Sequence, residues 1–236
     1  MLSLEEQNRL RAQYRRRHPE WRPATEVYAG LVRAHLRPES VLLDLGCGRG
    51  GLVEQLGHPL ARIVGIDPDL TSLREHRLSL PRAQAFSHHL PLPANSIDLA
   101  FSSWVLEHLP TPRADFGEIA RVLRPGGTFV FLTPNKGHPL ALLNRLLGRV
   151  ARLQGWLVAR LYGRATADTF PTWYRANSVA DLKQLATETG LRLIHAETVA
   201  DPTYLAFTPA LFRLMQQVEE RIPARRHLHL VGVLQK

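Results

Sequence analysis

Asp44 stands two residues ahead of a glycine-rich run, Gly46-Cys47-Gly48-Arg49-Gly50-Gly51, and just behind the apolar stretch Val41-Leu42-Leu43. Glycines at such a turn let the backbone approach a ligand and take positive φ without a steric cost. The helix expected over 50–56 adds free N–H groups at its start. A second acid, Asp67, closes the next apolar run, Ile63-Val64-Gly65-Ile66. An acid about 20 residues beyond a glycine turn can accept both hydroxyls of an adenosine ribose. Gly46, Gly48 and Gly51 also satisfy G-x-G-x-x-G, a pattern too common to choose a ligand by itself. Asp44 discriminates. A pyrophosphate gains nothing from a neighbouring carboxylate, whereas a ligand carrying a sulfonium and an ammonium group is attracted to it. Asp67 would suit the ribose of either cofactor, so it is Asp44 that favours S-adenosylmethionine over NAD.

Three further groups have the types that chemistry needs. His108 follows Glu107, and His138 lies just past the fifth expected strand. Either imidazole is a candidate general base near neutral pH. For Glu107-His108 the competing reading is a brace for the segment after the fourth strand. For His138 it is a plain loop histidine before Pro139. His88-His89 is no metal pair, because adjacent strand residues point to opposite faces and no third ligand is near in sequence. The expectation for metal is none.

The elements that must position these groups alternate. Strands are expected at 41–45, 62–67, 82–88, 97–102 and 128–133. Helices are expected at 24–36, 50–56, 70–78 and 113–123, the last stopped by Pro125-Gly126-Gly127. The pattern breaks at 136–177 and resumes with a helix at 179–189, a strand at 191–198, a helix at 209–222 and a last strand at 227–235. The fold class is α/β: a doubly wound, mostly parallel, seven-stranded Rossmann-like sheet. An antiparallel hairpin strand sits at its edge, and a helical insertion follows strand 5. Residues 1–23 read as an N-terminal arm, a short helix or a solvated tail, and 24–236 as one domain with a lid or insertion at 136–177. Asn177 and Ser178 are N-cap candidates. Tyr174 and Arg175 would either bind an anionic acceptor group or brace that helix start.

Taken together, Asp44-Leu45-Gly46-Cys47-Gly48-Arg49-Gly50, Ile63–Pro68, Leu90–Ala100, Trp104–Leu109, Glu118–Gly127 and Thr133-Pro134-Asn135 resemble the motifs of class I S-adenosylmethionine-dependent methyltransferases, in their order and spacing. Trp104–Leu109 resembles the small-molecule branch. The resemblance implies methyl transfer to a small-molecule or lipid-like acceptor at an unspecified O, N or C atom. By position it implies that Asp44 and the backbone of Gly46, Cys47 and Gly48 hold the methionine end, and that Asp67 takes the ribose. Pro68 and Leu90 would lie beside the adenine, Leu90 offering backbone contacts. Ser102 and Ser103 would face the methionyl moiety. One departure stands out: Phe86 occupies the place where such proteins often carry an acid toward the adenine amino group. Either Ser87 or His88 supplies that contact, or the adenine pocket is looser.

Composition bounds the alternatives. The chain has 236 residues, 44% hydrophobic, with a formal charge of +9 and only three lysines among 30 basic residues. That charge suits anionic partners or reflects an arginine-rich composition. One cysteine excludes an internal disulfide and a multi-cysteine zinc site. The acidic start without an apolar core is unlike a signal peptide, so the expected location is cytoplasmic. Leucines at helical spacing and five arginines without an acid make 140–164 a basic amphipathic stretch. It reads as a lid, as ordinary packing, or as a peripheral contact with an anionic membrane. A nucleic-acid methyltransferase is the alternative function, but Ser102-Ser103-Trp104 replaces the expected Asn/Asp-Pro-Pro-aromatic run. A non-catalytic cofactor-binding or membrane-associated protein is another. The acceptor and the oligomeric state are not encoded in any of these motifs.

Overall fold

The structure, a computed structural model, describes residues 4–148, 170–204 and 208–236. Two helices open it, α1 (Leu4–Arg17) and α2 (Ala24–His35). There follow β1 (Leu42–Leu45), β2 (Ile63–Asp67), α3 (Leu70–Arg74), β3 (Arg82–Gln84), β4 (Ile97–Ser103), α4 (Pro112–Val122), β5 (Leu123–Pro134) and α5 (Pro139–Gly148). Beyond residue 170 come α6 (Val179–Thr189), β6 (Arg192–Val199), α7 (Pro209–Arg221) and β7 (His229–Gln235).

The seven strands form one sheet in the order β3-β2-β1-β4-β5-β7-β6. Pairs within β1 to β5 are parallel, and β7 runs antiparallel to both β5 and β6. The last strand inserts one place in from the edge, between β5 and β6. Strand alternation sorts the core into two layers. Leu43, Leu45, Phe129 and Phe131 face α4 and α6 through Phe116, Ile119, Leu182 and Leu185. Leu42, Phe101, Val130, Val231 and Val233 face α2 through Val27, Tyr28 and Val32. Every one of these residues is buried, and each large side chain contributes on the order of 1.5–3 kcal/mol.

Several elements are shorter than their sequence patterns suggested. The expected helix over 50–56 is a four-residue 3-10 turn, Leu52–Gln55. Gly50 and Gly57, both at positive φ, bracket it and leave no length for an α-helix. α3 stops at Arg74 because the chain turns back: the Arg77 N–H bonds Arg49 O, and the Leu78 N–H bonds His76 Nδ1. β3 ends at Gln84, and the chain after it turns, His89 N–H bonding Phe86 O. Conversely, β5 begins before the Pro125-Gly126-Gly127 turn, which becomes a bulge between the Ile97–Leu123 and Leu99–Thr128 pairs. Ser178 caps α6, its hydroxyl accepting from the Asp181 N–H, and Gly190 ends that helix at φ +74. The arm contains a docked helix: Tyr14 is buried against Phe212 of α7, with Leu10 and Trp21 packed alongside. Within 140–164, residues up to Gly148 belong to α5, and the rest of the amphipathic stretch lies outside the described residues.

Candidate active site

The glycine turn at the end of β1 is wired to β2. Gly46 N–H and Cys47 N–H both donate to Ile66 O, at 2.7 and 3.2 Å. Gly48 N–H donates to Asp67 Oδ2 at 2.9 Å. Gly46 has φ +76, and a Cβ there would lie 2.3 Å from Val105 Cγ2. Only glycine lets the segment after β4 lie this close to the turn. Gly48, at φ +49, opens on empty space. Cys47 serves through its backbone and its fit: its buried thiol fills the gap over Gly65, and burial, the largest cause, pushes its pKa up to about 12. The neighbouring 3-10 turn is too short to offer a helix N-terminus.

Two carboxylates face each other across this turn. Asp44 is only 8% exposed and accepts no hydrogen bond among the described residues. Burial first, and the charge of Asp67 second, push its pKa up to about 7. Asp67 is equally buried, and burial raises its pKa too. Its two backbone hydrogen bonds, from Gly48 and from Asp69 N–H at 2.8 Å, act the other way. Each oxygen keeps a second lone pair for another donor. An ionised acid buried without a partner is costly, so Asp44 suits a cationic ligand.

At the end of β4, Ser102 is fully buried and its hydroxyl has no partner. Ser103 is half-buried beside it. Trp104 adopts φ +60, rare for a bulky residue. Its N–H bonds Leu132 O at 2.9 Å. Glu107 is buried and accepts from Thr133 Oγ1 at 3.0 Å; burial, its largest influence, pushes its pKa up to about 7. Asn177 Nδ2 donates in turn to Thr133 Oγ1 at 2.6 Å. His108 Nδ1 lies 2.9 Å from Pro171 O, which requires the proton on Nδ1 and leaves the Nε2 lone pair. Burial lowers its pKa. Arg175 bonds Pro110 O and stacks over Trp173, bracing this segment.

The adenine side departs from expectation at two residues. Both backbone groups of Leu90 are taken by α4: its N–H by Glu118 Oε2 at 2.8 Å, its carbonyl by Arg121 at 2.9 Å. Leu90 therefore has only a buried side chain to offer. Ser87 Oγ donates inward to Asp115 Oδ1 at 2.6 Å. Asp115 is fully buried, burial raises its pKa, and His88 Nδ1 sits 3.8 Å away. An acid thus stands behind this loop after all, from α4 and under Ser87. Phe86 is exposed and stacks on His88. Pro68 is half-buried, its carbonyl taken by Gln84 Nε2. Among the described residues no cluster of three metal-ligating side chains exists.

His138 is fully buried. Its Nδ1 accepts from the Leu140 N–H at 3.1 Å, and its Nε2 points at Glu219 Oε1, 3.5 Å away. Both nitrogens are directed into the protein. Asp201 N–H bonds Glu219 Oε1 at 3.2 Å, and Asp201 Oδ2 lies 3.1 Å from His229 Nε2. Sequence reasoning did not single out Asp115, Asp201, Glu219 or His229. No local signal could, since they come from separate elements that only the sheet order brings together.

Residues 43–131 match the family model of a methyltransferase domain. An uncharacterized methyltransferase of Mycobacteroides abscessus is 33% identical, over 70% of this chain and 68% of the relative. A trans-aconitate 2-methyltransferase of Azoarcus sp. is 34% identical over 61% of this chain, and the match spans only 57% of that relative's length. Among solved structures, an S-adenosylmethionine-dependent methyltransferase from Mesorhizobium loti superposes with a TM-score of 0.56 at 19% identity, over 88% of this chain and 96% of the other. At that identity the likeness concerns the fold.

Proposed function

We propose that this chain, which belongs to the class I S-adenosylmethionine-dependent methyltransferases, transfers a methyl group to a small-molecule or lipid-like acceptor. The observation that carries the reading is Asp44: a buried carboxylate without a hydrogen-bond partner, raised to about 7, beside a glycine turn and a second acid. The residues present fit the cofactor. Asp44 balances its positive charge, and the open face at Gly48 admits the methionine end past Gly46 and Cys47. Asp67 takes the ribose. Pro68 and the Leu90 side chain flank the adenine, with Ser87 held by Asp115 behind them. Ser103, half-buried at the end of β4, faces the methionyl part, whereas Ser102, expected beside it, is fully buried and offers a ligand no surface.

S-adenosylmethionine, when bound, supplies an electrophilic methyl on a sulfonium. The chain contributes mainly proximity, holding a nucleophile in line at near-attack distance. Where the acceptor is a hydroxyl, His108 takes its proton. The carbonyl of Pro171 fixes its tautomer, and burial keeps it neutral near pH 7. His138 is fully buried with both nitrogens turned inward, so it cannot reach an acceptor.

Calorimetry with S-adenosylmethionine and with NAD tests the cofactor; binding of NAD alone would sink the proposal. An acceptor screen that reads out S-adenosylhomocysteine release identifies the substrate. A peripheral membrane contact is a second reading. It is supported by Leu142 and Leu143 at the start of the basic stretch and Phe170 and Trp173 several residues beyond it, all half-exposed. No described helix is long and apolar enough to cross a membrane. Sedimentation with anionic vesicles at low salt decides it, and absence of co-sedimentation removes it.

A further inference from the structure

Trp104 departs from ordinary backbone geometry at the most informative place in the fold. It sits between the cofactor turn and the far half of the sheet. On one side its neighbour Val105 presses on Gly46. On the other its indole meets the edge of the His229 ring, centroids 5.0 Å apart at 74°. A bulky residue at φ +60 is unfavourable and persists only where its surroundings hold it. Here two contacts hold it: the N–H bond to Leu132 O and the His229 ring.

His229 is itself fixed. It opens β7, is buried, and pairs across the sheet with Pro134 of β5 and Val199 of β6. Its Nε2 lies 3.1 Å from Asp201 Oδ2. An ionised carboxylate can only accept, so the imidazole N–H donates and the ring plane is set. Asp201 is anchored in turn, its Oδ1 accepting from Thr203 N–H at 2.9 Å and Thr203 Oγ1 at 2.6 Å. Tyr204 meets the same imidazole edge-on at 5.9 Å. The result is a rigid support under a ring that is 38% exposed, with a second ring, 40% exposed, flanking it.

We propose that Trp104 is the wall against which the acceptor packs, and that the Asp201–His229 pair positions it. The acceptor surface that suits this wall is flat and uncharged, an unsaturated or aromatic portion of the molecule. An indole offers a broad face with little freedom to lose, and ring pairs prefer offset or edge-on contacts. This rests on the methyltransferase reading above, because the wall matters for transfer only if the methyl donor occupies the Gly46 turn. Trp104 would touch the acceptor; His229 and Asp201 act through Trp104 and are positioning residues.

The test needs no identified acceptor. N-phenyl-1-naphthylamine, a flat neutral fluorophore, stands in for the acceptor's apolar part and is titrated in the presence of saturating S-adenosylhomocysteine. Trp104→Ala should weaken probe binding at least about fivefold, and Trp104→Phe should restore it to within about twofold. Trp104→Phe should also cut the energy transfer from indole to bound probe by more than Trp173→Phe does, the remaining tryptophans supplying the rest. Trp173→Phe, which alters another half-exposed indole, should leave affinity unchanged. His229→Leu should reproduce most of the Trp104→Ala loss with S-adenosylhomocysteine affinity intact, while Asp201→Asn, which keeps an acceptor for the imidazole, should not. Should Trp104→Ala fail to fold, the comparison of energy transfer between Trp104→Phe and Trp173→Phe decides. Wild-type affinity in Trp104→Ala, or a loss of energy transfer in Trp104→Phe no greater than in Trp173→Phe, would overturn the wall. A normal affinity in His229→Leu would overturn the positioning role. Failure of the wild type to bind S-adenosylhomocysteine, seen separately by calorimetry, would instead strike the methyltransferase reading.

Discussion

Acids cluster at the β1–β2 end of the sheet and again where α7 and the 200–204 loop meet β5 and β7, and the two ends treat them oppositely. Near β1 and β2, Asp44 has no hydrogen-bond partner and faces Asp67. Near β5 and β7, Glu219 accepts from the Asp201 N–H and faces His138 at 3.5 Å with its Oε2 unpartnered, and half-buried Asp201 faces His229 at 3.1 Å. Tyr14 of the docked α1 packs nearby, its phenol pushed up to about 12 by burial first and then by Glu220, Glu219 and Asp201. The contrast teaches how to read a buried carboxylate. One whose charge the protein has already answered belongs to the scaffold. One left unanswered beside open space awaits a ligand.

The contrast is sharpest if the two ends fail in opposite ways. Glu219→Ala, which strips a fully buried pair of one partner, should cost about 3–5 kcal/mol in denaturant unfolding and leave S-adenosylhomocysteine affinity within about twofold. If it weakens the ligand as much as the fold, the far end is no mere scaffold. Asp44→Ala should do the reverse, lowering S-adenosylmethionine affinity by about 2–5 kcal/mol while the fold survives. Unchanged calorimetric affinity would refute the role of Asp44. Gly46→Ala lies between them. Positive φ and the clash with Val105 Cγ2 should together cost about 2–3 kcal/mol. A second change, Val105→Ala, should recover the clash but not the backbone part, and full recovery would show that φ is not limiting.

The effect that is smallest per step is the pH dependence, at most about 1.4 kcal/mol per pH unit. The folded pKa of Asp44, about 7, lies above an unfolded value of about 3.9. Its contribution therefore favours the fold in full below about pH 4 and is lost as pH rises to 7. Asp44→Asn should recover stability of the ligand-free protein at pH 8. A cationic ligand prefers the ionised form, so binding below pH 7 must expel a proton. Cofactor affinity should fall by up to about tenfold for each pH unit below 7 and become flat in Asp44→Asn. A wild-type profile as flat as the variant's would break the link between burial and binding.

Much of this was legible in the sequence. The glycine turn, Asp44 and Asp67 are close in the chain, and strand–helix alternation carries them to one edge of a parallel sheet. The shortened elements were harder. The patterns over 50–56 and 70–78 are apolar enough for helices, but glycines and backward hydrogen bonds cut them short. Leu90 illustrates another limit. Its place in the loop is visible in the sequence, while the capture of its backbone by Glu118 and Arg121 follows from how α4 packs. His138 looked like a base by its place after β5, and burial beside Glu219 turned it inward.

The sequence by itself determined the doubly wound sheet, the glycine turn and the acids that flank it. Periodicity and glycine geometry act over a few residues and need no distant partner. Tertiary structure alone decided which buried charges are answered. Asp115 under Ser87, Glu219 beside His138 and Asp201 beneath His229 join groups 28 or more positions apart in the chain. Their pairing depends on sheet order and helix docking, and burial in a poorly polarisable interior makes each pairing, or its absence at Asp44, count.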